Sequence, residues 1–262
     1  MIQEFRVSSH RLLFDLQPEE FVSDHNLLWY AQNHDVPEPE VIRLMLRAIN
    51  PGDCVIDAGA NVGFFTVLMS KLVGDRGKVL AIEPDRRNVE KLKKNLDINS
   101  CGNVEILAHA LSEKDGWAPL CRHTDNGQTC INGSVAVGEE VPLVSTLTFD
   151  RAATYLPKHP SFLKLDIEGS EVAALLGARN YVFPLIVTEV NDKALKRAGH
   201  SARDLFTLLR ERGYKRYQLH NDGSMPSHIA DYQDVVLTRA NANMLFAFRD
   251  HVPKLLWPEV EI

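Results

Sequence analysis

The chain has few of the features that would assign it at a glance. It holds four cysteines in 262 residues, Cys54, Cys101, Cys121 and Cys130, and none stand in C-x-x-C spacing. That excludes a disulfide frame and a zinc knuckle and leaves reduced thiols, with Cys54 read as core. No apolar run approaches the ~20 residues needed to cross a bilayer. The first residues carry no basic head followed by an apolar block, so neither an anchor nor a signal peptide is expected, and the expected location is the cytoplasm. Repeats and low-complexity segments are missing. So is a basic stripe: 29 Lys and Arg are dispersed among 35 Asp and Glu for a net charge of -6, which argues against nucleic acid as the main partner. The densest basic patch, Arg86, Arg87, Lys91, Lys93 and Lys94, falls on a predicted helix and reads as a solvated face.

What is present is an ordinary globular composition, 45% hydrophobic and 24% charged, long enough for one large buried core. The expected organisation is an arm or cap over residues 1–37 and a main domain over 38–262, with a small β insertion at 116–144 near the ligand side. The arm shows little periodicity beyond an aromatic cluster around Trp29 and Tyr30, which either docks the arm or faces a substrate. A helix is predicted over 37–51, with Val41, Leu44, Met45, Ala48 and Ile49 on one stripe and Pro39 near its start.

Residues 53–84 organise the rest. Cys54 to Asp57 is a short apolar run ending on an acid, Gly59, Ala60 and Gly63 allow close backbone approach, and apolar residues at helical spacing over 62–72 bring the chain to a helix N-terminus. Lys78 to Ile82 then forms a strand ending at Glu83. A dinucleotide fingerprint would need glycine at 57, 59 and 62. The chain has Asp57 and Val62 there, so a pyrophosphate would meet a carboxylate. Asp57 suits a ligand with a cationic end, such as the ammonium and sulfonium of S-adenosylmethionine (SAM), and Glu83, 26 residues on, is placed to accept two ribose hydroxyls. Asn61 belongs to the same loop. A third strand is predicted over 104–111; its end, with Ala110 and Leu111, would flank the adenine. His109 reads as a packed histidine.

A second cluster is Phe162 to Glu171 (FLKLDIEGSE), a strand, a turn and a helix start. On a strand Lys164 and Asp166 share one face, and buried they need a partner. Glu168 and Glu171 either meet a substrate or complement the helix dipole. A fifth strand over 184–190 brings Glu189 and Asn191 to the same rim. Farther on, a helix is predicted over 201–212, an antiparallel strand pair over 214–220 and 234–238, and a terminal helix over 241–248. His220 lies in a turn that could border an acceptor. The Trp257 tail reads as a packing or homo-oligomer contact.

Taken together, VIDAGANVGFFT (residues 55–66), AIEP (81–84), ALSEKDG (110–116), FLKLDIEGSE (162–171) and VTEV (187–190) resemble the FkbM-type methyltransferases. That resemblance implies a class I α/β fold, Rossmann-like, with a mostly parallel seven-stranded sheet, a C-terminal antiparallel strand pair and helices on both faces. It also implies SAM-dependent methylation, usually of a hydroxyl on a sugar, polyketide or other specialised metabolite. Asp57, Gly59, Asn61, Gly63 and Glu83 match the family's cofactor motif; Lys164, Asp166, Glu168, Glu171 and Glu189 match its acidic blocks. Asp166 is the first expected general base or acceptor anchor and Glu189 the second, with Lys164 beside them. A variant places Mg²⁺ on Asp166, Glu189 and Asn191. The expected partner is a small hydroxyl acceptor; the competing readings are ribose methylation of RNA and a non-catalytic SAM-fold module.

Overall fold

The computed structural model describes residues 1–122, 129–131, 141–230, 233, 235 and 242–249. In chain order, β1 (Ile2–Val7) and β2 (His10–Asp15) form a hairpin, followed by α1 (Val22–Gln32) and α2 (Pro39–Ala48). β3 (Cys54–Ala58), α3 (Phe64–Val73), β4 (Lys78–Ile82), α4 (Arg86–Ile98) and β5 (Val104–Leu107) make two consecutive βαβ units. The outer segment contains β6 (Ala110–Leu111), β7 (Gly116–Arg122), β8 (Thr129–Ile131) and β9 (Leu143–Leu147). Then come α5 (Phe149–Ala152), β10 (Phe162–Leu165), α6 (Glu171–Leu176), β11 (Leu185–Val190), α7 (Asp192–Arg197), α8 (Ala202–Glu211), β12 (Tyr214–Gln218), β13 (Ser227–His228) and β14 (Ala242–Phe248).

Local chemistry explains most of these boundaries. Pro39 fits the first turn of α2, whose backbone N–H is unpaired in any case, and Val41, Leu44, Met45 and Ala48 are buried along one stripe. Asp85 caps α4 by accepting from the Arg87 amide at 2.9 Å. Ser201 and Asp204 close a reciprocal capping box at the start of α8. β3 is buried at every residue, the pattern of a parallel strand covered on both faces.

The main sheet has the order β13-β12-β14-β11-β10-β3-β4-β5. β3, β4, β5, β10 and β11 pair in parallel, and β14 runs antiparallel to both β11 and β12. This is the expected seven-stranded arrangement with a two-residue strand, β13, added at one edge. One core packs the N-terminal hairpin, α2 and α3 on one face, and a second packs α5, α6 and α8 on the other.

Three expectations are corrected. Residues 1–37 hold a hairpin and a helix, and Phe5 and Phe14 of the hairpin pack on Phe64, with ring centroids 5.3 and 5.4 Å away. The strand predicted over 104–111 breaks after Leu107, and Ala110–Leu111 joins a separate four-stranded sheet, β6-β9-β7-β8. Residues 242–248 are the strand β14, where a helix was predicted, because a short run that is apolar apart from Asn243 fits either element and its place between β11 and β12 decides the outcome. In the outer sheet Trp117 is 73% exposed, so it belongs to no private core. The Trp257 tail lies outside the described residues, as does the strand predicted over 234–238 apart from Val235, which is not in a strand. Among the described residues no helix is long and apolar enough to cross a membrane.

Candidate active site

The carboxyl ends of β3, β4, β10 and β11 open into a cavity of about 370 Å³. At one end lies the loop after β3. Gly59 has φ +85°, and a Cβ placed on it would lie 1.8 Å from the Asp166 carbonyl oxygen. Its amide donates to the Ile82 carbonyl at 2.9 Å, and the Asp166 amide donates to the Ala58 carbonyl at 2.9 Å. Gly59 is therefore where the β3 and β10 ends come together, a junction only glycine allows. Gly63, at φ +98°, opens α3 and abuts Leu92. Asn61, at φ +50°, donates its amide to Glu83 Oε2 at 2.9 Å. The other Glu83 oxygen accepts from the Asp85 amide at 2.9 Å and Asn88 Nδ2 at 3.3 Å. Burial, opposed by these donors, pushes the Glu83 carboxyl up to about 7. Ala110 and Leu111 form the adjoining wall with His109, which burial and nearby Arg151 hold below the usual histidine range.

The other end is acidic. Lys164 is 3% exposed, donates to Asp166 Oδ2 at 2.8 Å and stands 4.5 Å from the centre of the Phe65 ring. Burial by itself would lower the Lys164 ammonium, but Asp166, Glu38 and Asp57 reverse that and hold it above the ordinary lysine value. Glu189 is pushed up to about 8 by burial and by repulsion from Asp166 and Glu38. Glu168, in the left-handed region at φ +54°, is pushed up to about 9 by burial and then by Asp166, Glu189 and Glu171. Its Oε2 has no hydrogen-bond partner among the described residues.

Gly59, Ala60, Asn61, Gly63, Glu83, Ala110, Leu111, Lys164, Asp166, Glu168 and Glu189 thus share one cavity with Tyr30. Five candidates do not line it. Asp57 is 1% exposed, lies below the loop and accepts from Thr66 Oγ1 at 2.5 Å; it faces Lys164 across the β3–β10 pair. Glu171 is turned inward, accepting the Ile167 and Gly169 amides at 3.1 and 3.2 Å, so it builds the turn. Trp29 is 53% exposed and packs edge-on against Tyr30. His220 bonds Ser227 Oγ at 2.7 Å and borders a separate small pocket with Arg43 and Arg47. Asn191 caps α7, accepting from the Ala194 amide at 3.2 Å. That cap removes it from the expected Mg²⁺ set, and Lys164 already neutralises Asp166. Among the described residues no group of three or more His, Cys, Asp and Glu could hold a metal ion. The donor set therefore does not fit a divalent cation.

Sequence reasoning missed Glu38, Ser23, Asn26 and Asn88, all of which line the cavity. Ser23 Oγ donates to Asn61 Oδ1 at 2.9 Å. No spacing rule points to these residues, because α1, the N-cap of α2 and the first turn of α4 reach the cavity only through tertiary packing.

A mostly parallel sheet whose final strand is inserted antiparallel, with a glycine loop and a ribose-height acid at adjacent strand ends, defines the Rossmann-like fold of class I SAM-dependent methyltransferases. Residues 57–216 match the Methyltransferase FkbM domain, and the chain belongs to that family. Two curated relatives are both described as "Probable cobalt-precorrin-6B C(15)-methyltransferase (decarboxylating)". The protein from Sulfolobus acidocaldarius is 29% identical over 130 residues, which is 48% of this chain and 62% of that protein. The one from Sulfurisphaera tokodaii is 39% identical over 70 residues, 27% of this chain and 36% of that protein. The chain thus spans less than two thirds of the length of either. Solved structures with a similar outline include a SAM-dependent O-methyltransferase from Thermotoga maritima, at TM-score 0.47 and 16% identity over 81% of this chain and 65% of that one. An rRNA methylase from Streptococcus thermophilus gives TM-score 0.47 and 10% identity over 82% and 99%. Likeness at this level says nothing about chemistry. Membership of that family makes SAM the cofactor against which the cavity is to be tested.

The residues present fit that cofactor. Glu83 lines the cavity and keeps an acceptor site on Oε2 for a ribose hydroxyl, and the junction at Gly59 leaves backbone, with no side chain, facing the ligand.

Proposed function

We propose that the protein transfers the methyl group to a hydroxyl of a small molecule. One observation carries this reading: two carboxylates at neighbouring strand ends stand in different surroundings. Asp166 is tied to a buried lysine at 2.8 Å, whereas the Glu189 carboxyl is pushed up to about 8. A group that titrates near working pH is suited to accept a proton, and one fixed by an ion pair is suited to anchor. Of the two roles open to Asp166 in the sequence, base or acceptor anchor, this reading gives it the anchor and gives Glu189 the base.

When bound, SAM supplies a methyl group already activated by its sulfonium. The chain aligns the acceptor and handles the proton. Glu83 holds the ribose, Lys164 fixes the position of the Asp166 carboxylate at 2.8 Å, and Glu189 takes the proton as the acceptor oxygen becomes nucleophilic. Leu27 and Tyr30 of α1 also line the cavity.

The test supplies SAM carrying a ¹³C-methyl group to the protein with a set of polyhydroxylated small molecules and, separately, with total RNA. The reading expects label in a small molecule, at a chemical shift typical of a methyl ether. Label on carbon or nitrogen, or label confined to RNA, would sink it.

A further inference from the structure

Glu38 precedes the family-matched residues 57–216 and stands at the N-cap of α2, in the left-handed region at φ 46° and ψ 61°. Pro39 behind it removes the helical alternative for its backbone, and strain of this kind persists where the surroundings fix it. Asn243 of β14 hydrogen-bonds both Glu38 and Glu40, the latter at 2.7 Å. The Glu38 carboxylate is thereby held in the cavity wall beside Lys164 and Asp166.

Charge balance says what such a group could receive. Among the described lining residues, Glu38, Asp166, Glu168 and Glu189 share the acid end with a single lysine, and that lysine is paired with Asp166. Burial, followed by Asp166 and Glu40 acting against Lys164, pushes the Glu38 carboxyl up to about 7. A cation at this end would draw it back to the ionised form. The strand order sets the span: from the tip of β4, which bears Glu83, to the tip of β11 is three strand steps, roughly 14 Å. With the nucleoside assigned to Glu83, Ala110 and Leu111, the acid end is left for the opposite end of the ligand.

We propose that Glu38 is a cofactor-binding residue that receives the α-ammonium group of SAM. The proposal rests on the SAM assignment and adds to it a residue outside the matched family range. Calorimetry with three ligands tests it: SAM, S-adenosylhomocysteine, which keeps the ammonium but lacks the sulfonium, and 5′-methylthioadenosine, which lacks the whole amino-acid end. Glu38→Gln is expected to weaken SAM and S-adenosylhomocysteine alike by about tenfold to a hundredfold. Methylthioadenosine binding should stay unchanged, which also shows that the variant is folded, and Glu38→Asp should fall between wild type and Glu38→Gln. Unchanged SAM affinity, an equal loss for methylthioadenosine, or a loss confined to SAM would each overturn the proposal. Failure of the wild-type protein to bind any of the three would remove the cofactor assignment itself, which is a different result from a variant without effect.

Discussion

Glu189 and Gly59 carry the sharpest consequences for single side chains. Glu189→Gln is expected to lower kcat by ~10²–10⁴, the usual contribution of a positioned base, while SAM affinity measured by calorimetry stays within a few fold. The wild-type pH profile should rise through about 8, since Glu189 must lose its proton before it can accept another; a flat profile between pH 6 and 9 would contradict this role. Gly59→Ala would drive a methyl group to 1.8 Å from a backbone oxygen. The expected outcome is lost SAM binding together with a lower melting temperature, both readable in one thermal-shift titration. The glycine loop was legible in the sequence because its constraint is local: a tight turn needs glycine whatever surrounds it. The direction of Asp57 was not. Strand alternation gives a face, but whether that face meets the ligand or a threonine one helix away depends on α3 packing, and Thr66 took one of the two carboxylate oxygens.

Among the elements, α1 is the one whose attachment is least evident from its residues. It has no apolar stripe, and a buried ion pair holds it: Asp24 Oδ2 lies 2.8 Å from Lys91 Nζ on α4, with both side chains almost wholly enclosed. Gln17 supports both, its amide donating to Asp24 at 2.7 Å and its side-chain oxygen accepting from Lys91 at 3.2 Å. Removing one member strands the other in a poorly solvated site, so Lys91→Met should cost roughly 3–5 kcal/mol in urea unfolding, whereas replacing both members with apolar residues should cost much less. Sequence periodicity assigned Lys91 to a solvated face. The helix was right and the face wrong, because only the fold shows that residues 17–24 cross over that part of α4. β14 was misread for a related reason, since a mostly apolar heptamer takes its geometry from the gap it fills.

Across the whole molecule, the carboxylates of the cavity, with Glu171 in the turn behind it, should set the response to pH. Glu38, Glu83, Glu171, Glu189 and Glu168 are raised to about 7, 7, 7, 8 and 9 from 4.5. A carboxyl raised on folding binds its proton more tightly in the native state. The stability it contributes is therefore complete at pH values below 4.5 and is lost as pH climbs through the folded value. In the window from about 5 to 9 the ligand-free protein should thus lose urea resistance, and saturating SAM, which brings positive charge to the acid end, should flatten that slope. A ligand-free protein more resistant at pH 9 than at pH 6 would show that these groups are ionised in the native state at little cost.

The place of β14 also bears on biosynthesis. Because Ala242–Phe248 sits between β11 and β12, a nascent chain that has already delivered residue 218 from the ribosome still lacks the strand that joins them. For the several seconds needed to translate the next thirty residues at ~5–20 residues per second, the β11 edge stays open to unwanted pairing. Chaperone dependence during synthesis should therefore concentrate at that edge, and a stop codon placed anywhere between 219 and 241 should yield inclusion bodies where a milder truncation might be hoped for.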